Sequence, residues 1–183
     1  MKHVLVVGGT GMLSDVSLYL AQYHHVSVIA RRREGFKRLT NQAKDPSAFT
    51  FLSIDYRHDM KLQTALQQTI SSNGPISCVV AWIHSTAPKA LAIICAEIAN
   101  MNDKQPWKLF HIMGSSSNVK QMKAKVPTPK RCHYRQIQLG YVKEEGISRW
   151  LTHQEIANGV LEAIATDTVK KVIGVIEPWE ERP

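Results

Sequence analysis

Two hydrophobic rhythms alternate along this chain. Residues 4–7, 26–30, 49–54, 76–82 and 107–113 are short, largely apolar runs. Runs of this kind read as strands, and 76–82, which is almost continuously apolar, reads as one covered on both faces. Between the runs, apolar residues return every three or four positions, as on one face of a helix. Met12, Val16, Leu20 and Tyr23 form the first such stripe. Residues 34–42 make a short helix that ends before Asp45-Pro46. Leu62, Leu66 and Ile70 follow Asp59, a capping residue, and stop at Asn73-Gly74-Pro75. Leu91, Ile94 and Ile98 lie in 87–101, predicted to be the longest helix. Ile137, Leu139 and Tyr141 alternate with polar residues as in a strand. Thr152-x-x-Glu155 is a capping box opening a helix with Ile156, Val160 and Ile164 inward, and 172–176 supplies a last strand. The alternation predicts an α/β fold of three layers: a mainly parallel, doubly wound sheet with helices on both faces, joined by right-handed crossovers.

The first junction carries chemistry. Residues 4–14, VLVVGGTGMLS, run from a buried strand through a Gly-rich turn into a helix, the place where a Rossmann fold holds a dinucleotide. Gly8, Gly9 and Gly11 permit positive φ or close approach of a phosphate, and the helix start offers free N–H donors. The cofactor-binding turn is thus Gly8, Gly9, Thr10, Gly11, Met12 and Leu13. Read as G-x-G-x-x-G or as G-x-x-G-x-x-G, the motif ends on Ser14, where a small residue serves helix–strand packing. At the end of the second strand, where an NAD site places an acid for the ribose 2′-hydroxyl, stand Arg31, Arg32 and Arg33. A cation there suits a 2′-phosphate. One charge-assisted bond of about 1.5–3 kcal/mol would favour NADPH over NADH by roughly 10- to 100-fold.

At 183 residues and 44% apolar content the chain forms one domain, 1–183, around one core. No apolar stretch reaches membrane-spanning length, and a soluble, cytoplasmic protein is expected. Cys78, Cys95 and Cys132 lack metal or redox spacing and read as reduced core thiols. No metal site is expected. The net charge of +8 suits an anionic ligand or solubility. Basic residues are not interleaved with aromatics, which argues against nucleic acid as partner. The apolar segment 87–101 suits homodimerisation as well as core packing.

With the glycine turn, Arg31, Asp55-Tyr56 and the Ser-rich end of the fifth strand in place, residues 1 to about 117 resemble the short-chain dehydrogenase/reductase superfamily. The likeness is to its atypical, NADP-preferring members. The resemblance implies that Asp55 and the Tyr56 backbone meet the adenine. It also implies that 81–84, with Ala81 and Trp82, replaces the family's Asn-Ala-Gly turn beside the cofactor ribose. Family reductases polarise a carbonyl with a Ser after the fifth strand and a Tyr paired with a Lys four residues on. Ser115 and Ser116, with Ser117, sit at the matching strand end, but Tyr134 is followed by Gln138 and Tyr141 by Glu145. The Tyr-x-x-x-Lys pair is missing. His84, after the fourth strand, is then a candidate general acid acting with Ser115 or Ser116, and Tyr134 a second candidate.

Residues 118–134 hold Lys120, Lys123, Lys125, Lys130 and Arg131 with no acid and two prolines, and read as a basic loop near the nicotinamide end. It is a lid for an anionic small-molecule substrate or a solvated loop. Three functions are open from sequence: an NADP(H)-dependent reductase, a non-catalytic NADP-binding redox sensor or partner-binding module, and a flavin or quinone reductase needing no Tyr-Lys pair.

Overall fold

The computed structural model describes residues 1–101 and 104–183. Its central sheet has seven parallel strands in the order β3-β2-β1-β4-β5-β6-β9. In chain order these are β1 (Lys2–Val7), β2 (His24–Ala30), β3 (Phe49–Ser53), β4 (Ile76–Trp82), β5 (Trp107–Met113), β6 (Cys132–Leu139) and β9 (Lys170–Ile173). The order reverses between β1 and β4, so a crevice opens there above the strands' C-terminal ends, where open α/β sheets bind ligands. Strand alternation divides the core in two. Leu5, Val7, Val79 and Leu109 face α3 (Asp59–Asn73) and α4 (Ala90–Met101). Val4, Val6, Val80 and Phe110 face α1 (Ser14–Leu20), α2 (Arg33–Gln42) and α6 (His153–Thr166). Leu5, Val6 and Val7 are fully buried, each contributing about 1.5–3 kcal/mol through the apolar area removed from water.

The β1–α1–β2 crossover runs one way along the sheet and β6–α6–β9 the other, yet α1 and α6 pack together on the same face. The two therefore have opposite hands, and the expectation of uniformly right-handed crossovers fails at the last one. The core explains it. α1 and α2 reach only the β1–β3 half of that face, and α6 covers Phe110, Ile112, Ile137 and Leu139 with Ile156, Ala157, Val160 and Ala163. Before α6 the chain inserts an antiparallel hairpin, β7 (Tyr141–Glu144) and β8 (Ile147–Trp150), that redirects it.

Other boundaries also shift. α3, at 15 residues, exceeds the 12 of α4, which starts at Ala90 because 87–89 is still turn. His58, not Asp59, is the N-cap of α3. Tyr23 lies beyond α1 and is exposed. The alternating pattern at 137–141 is split between two strands: Ile137 and Leu139 end β6, which begins at Cys132, and Tyr141 begins β7. Val172 is paired, but β9 runs only to Ile173, since Gly174 takes a φ of +75°. The Thr152–Glu155 capping box forms as the sequence predicts. The basic segment is not all loop: it contains α5 (Val119–Lys125), capped by Asn118 Oδ1 accepting from Gln121 N at 3.0 Å.

Candidate functional site

The glycine turn leaves β1 at the switch point. Gly8, at a φ of +83°, donates its N–H to the Ile29 carbonyl across the sheet. The Gly11 and Ser14 amides close successive turns onto Gly8 O and Gly11 O. The glycines do different work. A Cβ at Gly9 would lie 2.5 Å from Ser17 Oγ and 2.9 Å from Val6 Cγ1, so Gly9 lets α1 dock on β1. Ser17, fully buried, donates its hydroxyl to the Gly9 and Leu13 carbonyls at 3.0 and 3.1 Å. The close helix–strand contact is thus Gly9 against Ser17, and Ser14 only begins the helix. A Cβ at Gly11 would meet nothing within 4 Å. Gly11 faces open space above the crevice, the room a pyrophosphate needs. Thr10 is backed by Gly35 of α2, where an added Cβ would stand 3.1 Å from its hydroxyl. Leu13 is fully buried and Met12 packs partly on the same core, so Leu13 offers a ligand only its backbone.

Arg31, Arg32 and Arg33 follow β2 exposed, and none forms an ion pair among the described residues. At the end of β3, Asp55 accepts from the Arg57 guanidinium, closest at 2.6 Å, and from the Arg57 backbone N–H at 3.0 Å. That clamp, aided by Arg31, holds the Asp55 carboxyl well below the usual carboxylate range. Tyr56 packs its ring on the α3/α4 core, and its hydroxyl accepts the His84 N–H at 3.4 Å, tying the loops after β3 and β4 together.

Across the crevice, Trp82 ends β4 beside the buried Ala81. A Cβ at Gly8 would touch Trp82 Cδ1 at 3.7 Å, and one at Gly114 would touch its Cη2 at 3.9 Å. The indole therefore spans from the glycine turn to the turn after β5. There it helps line a pocket of about 200 Å³ with Leu139, Trp150, Leu151, Ile156 and Ser115, the last being its one hydroxyl. Ser115 is half-buried and Ser116 exposed. Gln138 of β6, which is buried, donates from Nε2 to the Ser115 and Ser117 carbonyls, both at 3.0 Å, and fixes the serine turn. The His84 ring meets the Trp82 indole edge-on at 6.3 Å. Trp82 is the neighbour common to His84 and Ser115.

Tyr134 is not at this site. It pairs with Leu109, low on β6, and its ring lies in the core under α4. Its hydroxyl bonds His111 Nδ1 at 2.8 Å, and burial pushes it up to about 12. It touches no open surface at the strand ends and is withdrawn as a proton donor. Gln138, Gly114, Trp150 and Leu151 are site residues that sequence reasoning passed over. None left a local signal: Gln138 is one of the polar positions of an alternating strand pattern, as Gln136 is. Cys78, Cys95 and Cys132 are all free thiols. No group of metal-ligating residues assembles among the described residues, and none of their helices is long and apolar enough to cross a membrane.

No family model matches the chain, and no curated protein matches it in sequence. Solved structures do match. One, described as a short-chain dehydrogenase/reductase family oxidoreductase from Aeromonas hydrophila, superposes with a TM-score of 0.70 at 12% identity, over 96% of this chain and 99% of that one. A short-chain dehydrogenase/reductase of Brucella melitensis gives 0.69 at 11% identity over 93% of each chain. A β-ketoacyl-[ACP] reductase from Bacteroides thetaiotaomicron gives 0.67 at 12% identity, over 96% of this chain and 98% of that one. The three-layer Rossmann architecture of short-chain dehydrogenase/reductase structures is therefore the fold of this chain.

Proposed function

We propose that this protein binds NADP(H) along the C-terminal edge of its sheet and works as an oxidoreductase on a small molecule held beside Ser115. The observation that carries the reading is a juxtaposition at the switch point. The glycine turn leaves open space at Gly11, and the adjoining strand is followed by three arginines that form no ion pair among the described residues. The residues fit such a cofactor. Backbone N–H groups of 9, 10, 12 and 13, with the Thr10 side chain, would take the pyrophosphate, and Arg31 with Arg32 the 2′-phosphate. Asp55, held by Arg57, and the Tyr56 backbone would border the adenine. Ala81 and Trp82 would border the ribose. When bound, the cofactor supplies or accepts a hydride.

The chain's own residues define the rest. Trp82, Leu139, Trp150 and Leu151 give the pocket apolar walls, and a substrate seated against them would cover Ser115, strengthening any bond that its Oγ–H donates to a substrate oxygen. Gln138 holds the Ser115 backbone so that the hydroxyl acts from a fixed position. His84, exposed beside Trp82, is the proton donor this arrangement offers, and its replacement by Ala would lower the turnover of an identified carbonyl substrate.

Two rivals draw on specific observations. Removal of Tyr134 from the site favours an NADP-binding sensor or partner-binding module without turnover. The apolar pocket favours a quinone or flavin ring that takes hydride directly. NADPH and NADH titrations of wild type and Arg31→Asp, by thermal shift and tryptophan fluorescence, test the core of the reading. Binding of NADPH that weakens at least about tenfold in Arg31→Asp is expected. Absence of binding by either nucleotide would sink it. Carbonyl, quinone and flavin panels then separate the rivals.

A further inference from the structure

From the placement of its unpaired cations we infer that α5 and the turn after it form a docking surface for phosphate groups carried by the substrate outside the Ser115 pocket. The inference rests on the oxidoreductase reading of that pocket.

No Asp or Glu occurs from Lys104 to Lys143. Within that stretch, the cations on strands are paired: Lys108 and Arg135 with Asp167, and Lys143 with Glu181. Lys120, Lys123, Lys125, Lys130 and Arg131 have no ion-pair partner among the described residues. They account for most of the net charge of +8, so that charge is a local feature rather than a general surface property. α5 buries no side chain, and Lys120 and Lys123 stand three residues apart, where like charges repel. The helix contributes little to the core, yet it is moored. Gln136 Nε2 donates to the Val119 carbonyl at 2.9 Å, Val126 is buried in the core, and Gln138 holds the serine turn just before it. A helix held in place with its charges unmet is suited to an anion that arrives from solution.

The pocket's size says what kind of anion. At about 200 Å³ it lies below the usual range for whole ligands. Its one hydroxyl and apolar walls take a small neutral reacting end, and the remainder of the substrate must lie outside. Ser115 lines the pocket, and α5 begins four residues after it. Several phosphates on one molecule match five clustered cations. Nucleic acid fits less well: 118–131 contains no aromatic residue on which bases stack, and seven helical residues span only about 10 Å.

The test uses the full chain saturated with NADP⁺ and inorganic tripolyphosphate as probe, by calorimetry at low salt. Binding to wild type should fall at least about tenfold in Lys120→Glu/Lys123→Glu/Lys125→Glu, the loss expected for a single charge-assisted phosphate bond. The triple variant should melt with wild type and bind NADPH equally, since α5 buries nothing. Equal tripolyphosphate binding by both proteins, or binding abolished by NADP⁺, overturns the inference. So does a duplex DNA that binds far more tightly through the same lysines. If NADPH fails to bind while the lysine dependence holds, the cofactor reading falls and the phosphate surface stands.

Discussion

Three glycines within four residues look interchangeable in sequence, and their surroundings show that they are not. An alanine methyl at Gly9 would press on Ser17 Oγ and Val6 Cγ1, inside contact distance of a buried helix–strand interface. Forcing extra volume into such a site costs about 1–3 kcal/mol. Gly9→Ala should therefore lower the melting temperature by several degrees, at roughly 2–4 °C per kcal/mol for a chain of this size. Gly11→Ala should leave melting unchanged, because nothing lies within 4 Å of the added methyl. It should still weaken NADPH at least about tenfold by standing where the phosphate approaches the backbone. Thermal denaturation and nucleotide titration on the two variants check the split. Full NADPH affinity in Gly11→Ala would show that the turn does not lie against the phosphates.

At the scale of elements, β6 organises the site without touching its chemistry. Its alternation sends Ile137 and Leu139 to one core, while Gln136 and Gln138 rise on the other face to hold the Val119, Ser115 and Ser117 carbonyls. Gln138→Leu would leave two carbonyls without that donor, at a cost of about 1–3 kcal/mol if they stay dry. Hydrogen exchange should speed up at Ser117 and in α5 while β1 to β4 stay protected. Unchanged protection of 115–125 would show that the serine turn does not depend on β6. The same strand marks what the sequence could and could not tell. The apolar runs at 76–82 and 107–113 coincide with β4 and β5, and the glycine turn sits where its strand-turn-helix context predicts. Composition and period fix such things locally. Whether Tyr134 stands at the top or the bottom of β6 depends on its register against Leu109, set by β5 and not by its neighbours. The hand of the last crossover depends on which half-face of the sheet is left bare. Trp82 reached the candidate list through the position of its strand, but its span from Gly8 to Gly114 is a tertiary fact.

Across the whole molecule, titratable groups respond to acid with one sign. Burial holds His3, His24, His25 and His111 below their ordinary 6.5, His111 as far as about 4. Each is kept neutral by the fold while the unfolded chain would already bind a proton. On acidification the unfolded state gains protons first, so stability falls as pH drops from about 6.5 towards 4. His111 alone accounts for up to about 3 kcal/mol of that loss. The carboxylates act lower. Arg149 and the Thr152 backbone hold Glu155 down to about 2, Arg57 holds Asp55 low and Arg135 holds Asp167 low. Their contribution is complete above the unfolded carboxylate range and is lost as pH falls through it. The melting temperature should therefore decline in two stages, the first beginning between pH 6.5 and 4.5, where the histidines dominate, and the second below it, where the carboxylates do. His111→Gln, which keeps a polar partner for the Tyr134 hydroxyl but cannot charge, should start less stable at pH 7 and decline less steeply over that first stage. A wild type whose melting temperature is flat from pH 6.5 to 4.5, or a variant that runs parallel to it, would mean that His111 is not kept neutral by its place between β5 and α4.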